Sequence, residues 1–133
     1  MLNIPSIPNE EFKERAKKVQ AAMKKEGYDL ILCYGNEAEP QYVRYLADYW
    51  PSFETAGVLV AQEGEPKLLI GPECFTYATD RSRIPEIRML KAFRESSDPE
   101  YPGKPLDTFA GLFEEMFGKD IPKKIHVAGY SLM

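Results

Sequence analysis

The sequence predicts an α/β domain, a mixed β-sheet with helices on both faces. Three observations carry this. Two short runs, Asp29-Leu-Ile-Leu-Cys-Tyr-Gly35 and Ala56-Gly-Val-Leu-Val60, are apolar on both parities and too brief for helices, the pattern of strands buried on both sides. A third run, Lys67-Leu-Leu-Ile-Gly71, follows the second across the glycine-bearing turn Gln62-Glu-Gly-Glu-Pro66, so those two form a hairpin. Segments of helical period lie around these strands, and that alternation is the pattern of a covered sheet.

In chain order, residues 9–26 come first as a helix. Asn9 is its expected N-cap, and Phe12, Ala16, Val19 and Met23 make one apolar stripe. Glutamates lead and Lys24-Lys25 close, the charge order a helix dipole favours, and Gly27 supplies the stop. The first strand spans 29–34. Pro40 then opens a short helix through Tyr42 to Leu46, and Pro51 breaks the chain into a loop, 50–54, ahead of the strand at 56–62. After the hairpin, 72–81 is a helix with proline at its first position. Residues 86–93 read as a strand with Ile87, Met89 and Phe93 on one side. The polar, proline-bearing stretch 94–104 is loop. Leu106, Phe109, Leu112, Phe113 and Met116 mark a helix ended by Gly118, and 123–129 forms the last strand. Leu30, Leu32, Val58 and Val60 are the expected strand core, with Phe12, Val19 and Met23 packing on them.

With 133 residues the chain is one domain, 1–133, able to bury about two-thirds of its unfolded surface. A net charge of −4 gives no electrostatic footprint for nucleic acid. The longest apolar run is about six residues, against the roughly 20 that span a bilayer, so no membrane segment is expected. The start lacks the basic-then-apolar layout of a signal peptide, which makes the cytoplasm the expected compartment. Cys33 and Cys74 form no CxxC pair and read as small buried side chains, indicating neither a zinc site nor a disulfide.

Catalytic signatures are missing from the sequence. It holds no GxGxxG, no GxxxxGK[ST] and no GxSxG. His126, the one histidine, falls in a strand, where a lone histidine reads as a packed or edge side chain. Asp29, Asp48 and Glu54 neighbour one another only along the chain. Arg81, Arg83, Arg88, Lys91 and Arg94 are accounted for as mixed surface charge. No catalytic residue and no metal ligand is therefore assigned on this chain, which is expected to bind no transition metal specifically and to catalyse no hydrolysis alone.

A set of anchors runs through the whole chain: Phe12 and Arg15; Met23 ahead of Gly27-Tyr-Asp-Leu-Ile-Leu32; Tyr42-Val-Arg-Tyr-Leu46; Gly57-Val-Leu-Val60; and Gly64-Glu-Pro66 ahead of Leu68-Leu69. In these the sequence resembles the N-terminal domain of the creatinase/prolidase/aminopeptidase P family. The resemblance implies a creatinase/prolidase N-terminal domain-like fold cut from a longer chain. It also implies a missing C-terminal catalytic domain with two divalent metal ions, manganese, cobalt or zinc, whose bridging water attacks an Xaa-Pro bond. The parent would then be an Xaa-Pro dipeptidase or aminopeptidase with a peptide substrate, and this domain, non-catalytic itself, would assist a homodimer. Two alternatives stay open, the N-terminal domain of a creatinase-like non-peptidase hydrolase and a stand-alone α/β binding module.

Between Tyr42 and Phe53 stand three tyrosines, the only tryptophan and a phenylalanine. Such rings serve cores and contact surfaces alike. In the resembled family the loop before the second strand reaches the neighbouring subunit's active site, which implies that Trp50, Phe53 and Glu54 are substrate-binding in trans. Creatine-specific relatives carry an arginine after the phenylalanine. Here Glu54-Thr55 stand in its place, a departure that weighs against creatine and towards a peptide or another substrate.

Overall fold

A computed structural model describes residues 5–95 and 105–129. Helix α1, Asn9–Glu26, leads into strand β1, Leu30–Gly35; α2, Gln41–Ala47, precedes the hairpin strands β2, Ala56–Ala61, and β3, Lys67–Ile70. A 3₁₀ turn at Pro72–Cys74 runs into α3, Phe75–Arg81, which is followed by β4, Ile87–Met89, and a second 3₁₀ turn, Lys91–Phe93. Helix α4, Phe109–Phe117, and strand β5, Ile125–Ala128, complete the chain.

The five strands form one mixed sheet in the order β4-β3-β2-β1-β5. Pairs β1/β2 and β2/β3 are antiparallel, whereas β1/β5 and β3/β4 are parallel. Strand parity divides the core. Cys33, Val58, Val60, Leu68 and Ile70 face one side, where Met23, Val43, Leu46, Tyr49 and Ala78 from the first three helices and the loop after α2 cover them. Leu30, Leu32, Leu59 and Leu69 face the other, under Leu90, Phe93 and Leu112, with Phe109, Phe113 and Met116 packed alongside. Because both faces are covered, the central strands carry no polar alternation. Among the described residues no helix is long and apolar enough to cross a membrane.

Polar contacts fasten the layers. Gln20 on α1 donates to the carbonyls of Ala61 and Gly64 at 3.0 and 2.8 Å, tying that helix to the hairpin. Arg88 on β4 grips Asp107 with two bonds of 2.8 and 3.1 Å and reaches Glu115 on α4 at 2.8 Å. Asp29 accepts the backbone N–H groups of Lys123 and Lys124 at 2.9 and 3.0 Å, which sets β5 beside β1.

Several expectations need correction. Pro8, extended at φ −64° and ψ 152°, occupies the cap position of α1. Asn9 is instead the first helical residue, and its side-chain oxygen accepts from Arg83 Nη1 at 2.6 Å. Leu30 and Leu32 point away from Met23, because β1 places alternate residues on opposite faces. Phe12 is buried beneath the guanidinium groups of Arg15 and Arg83, 4.7 and 5.3 Å from its ring centre, instead of against the strands. The strand expected over 86–93 stops at Met89, since Phe93 N–H turns back to the Leu90 carbonyl at 3.1 Å. That 3₁₀ turn moves Phe93 to the face opposite Ile87 and Met89. The last helix starts after Thr108, whose hydroxyl accepts from Gly111 N–H at 3.1 Å, while Leu106 stays outside it. The middle of the predicted loop, 96–104, and the segment 130–133 lie outside the described residues.

Candidate functional site

The aromatic loop forms where α2 ends. Asp48 closes that helix in the left-handed conformation, φ 53°, with its N–H on the Arg44 carbonyl at 2.9 Å. From there the loop mixes inward and outward residues. Tyr49 is buried, its ring 5.3 Å from that of Tyr77, and Pro51 is buried after it. Trp50 and Phe53 remain 49% and 61% exposed, so the sheet's covering layer does not absorb them.

The Trp50 ring and the Phe53 backbone are nevertheless held. The Trp50 indole N–H donates to the Glu37 carbonyl at 3.0 Å, and the Arg44 guanidinium lies 4.7 Å from the indole centre. The Phe53 N–H donates to the Glu37 carboxylate at 2.5 Å. Phe53 itself sits at φ 68°, a left-handed conformation that a bulky residue adopts only under constraint. Beside Trp50 an open cleft of about 410 Å³ is walled by Arg44, Asp48, Tyr77, Asp80 and Arg81.

Glu54 departs from its expected place at this surface. It is 2% exposed and turned inward, where its carboxylate accepts the backbone N–H groups of Glu73 and Glu95, both at 3.0 Å. In that position the side chain fastens the loop from below and meets no solute. The thiol of Cys74 donates to the Ser52 carbonyl at 2.9 Å and adds a further tie. Burial pushes the Cys74 thiol above its ordinary pKa, so the thiol is a packed group and not an activated one. Burial, and then the Cys74 neighbour, raises the Tyr49 phenol. Burial likewise pushes Cys33 up to about 11.

The other candidate groups stay apart. Asp29, just before β1, lies beside the segment entering β5, its pKa lowered first by the Lys123 backbone N–H and then by that of Lys124. Asp48 pairs with Arg83 at 3.2 Å. His126 is exposed on β5 with its ring 5.1 Å from Tyr28. Among the described residues no three His, Cys, Asp or Glu side chains gather at metal-binding spacing. The loop presents two exposed rings beside a charged cleft, Trp50 bonded through its indole and Phe53 through its backbone.

Sequence reasoning missed Glu37. Asn36, whose side chain accepts the N–H groups of Ala38 and Glu39 at 3.0 and 2.8 Å, marks a turn legible from residue type. That Glu37 reaches across to a loop thirteen residues on has no local signature.

No family model matches the sequence. No curated protein matches it either. Solved structures do. The dipeptidase PepE of Mycobacterium ulcerans aligns at a TM-score of 0.55 and 13% identity, over 71% of this chain and 25% of that one. A creatinase/prolidase-like N-terminal domain from Corynebacterium diphtheriae aligns at 0.53 and 15% identity, over 92% of this chain and 98% of that one. The prolidase of Pyrococcus horikoshii aligns at 0.53 and 20% identity, over 86% and 32%. The chain thus spans about a quarter of the dipeptidase and a third of the prolidase. It has the fold of a creatinase/prolidase-type N-terminal domain.

Proposed function

We propose that this chain is the non-catalytic N-terminal domain of a cytoplasmic Xaa-Pro dipeptidase or aminopeptidase. The parent's two divalent metal ions, manganese, cobalt or zinc, belong to a C-terminal catalytic domain beyond this sequence. The domain packs against that catalytic domain, assists a homodimer, and lends Trp50 and Phe53 to the peptide site of the partner subunit. Glu54 acts from beneath, holding the loop in place.

One observation carries the reading beyond the fold. Two large rings are kept exposed, one of them on a strained backbone, at a loop whose other residues are tightly bonded. Exposure of that kind has no use in a core and is explained by a partner surface. Among the described residues the loop meets no catalytic group, which favours a contribution to a site assembled elsewhere.

The test uses the longer protein. It should hydrolyse Xaa-Pro dipeptides with added manganese, cobalt or zinc, and Trp50→Ala should depress that activity. Mixing Trp50→Ala subunits with subunits inactivated in their catalytic domain should restore activity, because the partner then supplies an intact Trp50. No hydrolysis of any Xaa-Pro peptide would defeat the assignment, and no restoration on mixing would confine the loop to its own subunit.

A further inference from the structure

Glu37 stands on the loop between β1 and α2 and is itself exposed, yet both exposed rings hang from it. Its main-chain carbonyl, which any residue at this position would offer, takes the Trp50 indole N–H at 3.0 Å. Its carboxylate takes the Phe53 N–H at 2.5 Å, with the Ser52 hydroxyl at a longer 3.5 Å. We propose that Glu37 is the positioning residue of the aromatic loop: it fixes Trp50 relative to Phe53, holds Phe53 in its left-handed conformation, and so sets how the pair meets substrate. The last part rests on the loop being the substrate contact proposed above.

The physical argument begins with the strain. A left-handed phenylalanine returns to a relaxed conformation unless its surroundings over-determine it. Phe53 is exposed, so packing is not what holds its ring. The bond from its N–H goes to a side-chain carboxylate, and hydrogen bonds to carboxylates are roughly twice as strong as those between neutral groups. A fastening that served stability alone would be sited over the core. Here the holder and both rings lie at the surface, so releasing them uncovers little apolar area.

Trp50 is the only tryptophan, so fluorescence of the 133-residue chain reads the loop, reporting release of the Ser52–Phe53 segment beside it. Glu37→Ala keeps the main-chain acceptor of Trp50 and removes the side-chain tie to Ser52 and Phe53, so acrylamide quenching of Trp50 should rise by about two-fold through more frequent opening of the loop it sits on. Its melting temperature should stay close to that of the unaltered chain. Glu37→Gln keeps an acceptor and should return quenching towards the original value. Unchanged quenching in Glu37→Ala overturns the clamp, as does a melting-temperature loss as large as that of a core substitution. In the longer protein Glu37→Ala should raise KM for an Xaa-Pro dipeptide by about three- to ten-fold with a smaller change in kcat, and Glu37→Gln should recover part of it. Altered quenching with unaltered kinetics overturns the substrate-contact reading while leaving the clamp itself standing.

Discussion

The carboxylate of Glu54 rests directly on Gly71, so closely that a Cβ at that position would overlap it. Gly71 has an ordinary extended backbone, φ −77°, so what requires glycine here is space and not conformational freedom. Gly71→Ala should therefore push the buried carboxylate off the backbone N–H groups of Glu73 and Glu95. Overpacking of this kind costs about 1–3 kcal/mol, readable as a lower urea midpoint. Glu54→Ala alone should also destabilise, by removing the acceptor of both bonds. In the double variant the two losses should not add, since Glu54→Ala vacates the space that the methyl group introduced by Gly71→Ala needs. Strict additivity would show that the contact does not limit this site.

A second prediction concerns the sheet. Val58 is wholly buried, opposite Cys33 on β1 and Leu68 on β3, under Met23 of α1 and the residues of α2. Val58→Asp places a charge there with no partner, a change expected to cost about 4 kcal/mol or more. The variant should show loss of near-ultraviolet dichroism and early denaturant unfolding. A variant as stable as the original chain would mean that this face of the sheet opens to water.

Asp29 gives a pH test. Its two bonds from Lys123 and Lys124 N–H groups lower its native pKa below that of the unfolded chain. The ionised form therefore favours folding: the contribution is full above the ordinary carboxylate range and is lost as pH falls through the lowered native value. Asp29→Asn should be less stable than the original chain at neutral pH, and the gap should close in acid. A gap of equal size at every pH would assign the effect to geometry and not to charge.

Much of this architecture was legible because it depends on local pattern. The α1 stripe ended by Gly27, the doubly apolar β1 and β2, and the Gly64 turn each carry their signal within a few residues. What was lost depends on contacts distant in sequence. Phe93 shares its parity with Met89, yet a 3₁₀ turn sends it to the opposite face, where Leu90 and Leu112 receive it. Glu54 reads as a surface carboxylate by type. It is buried because backbone donors at Glu73 and Glu95, 19 and 41 residues on, converge upon it. At the aromatic loop Pro51 and the ring density announced something unusual, but Glu37 as its holder appears only once the chain is folded.

The last prediction separates function from stability at Phe53. A phenylalanine at φ 68° carries left-handed strain of about 1–2 kcal/mol, which glycine does not. Its ring is 61% exposed, so removing it takes little from the core. Phe53→Gly should therefore leave the chain as stable as before or slightly more so, the relief being offset in part by the freedom glycine adds to the unfolded state. Phe53→Ala keeps the strain and loses the ring, and should be the less stable of the two. If the ring meets substrate in the partner subunit, both variants should lower kcat/KM of the longer protein on an Xaa-Pro dipeptide, by about ten-fold for roughly 1.4 kcal/mol of lost contact. A protein that gains stability while losing activity is the signature of strain maintained for contact. Should Phe53→Gly instead lower the melting temperature and leave kcat/KM untouched, the ring belongs to the packing of the domain and the loop has no part in the peptide site.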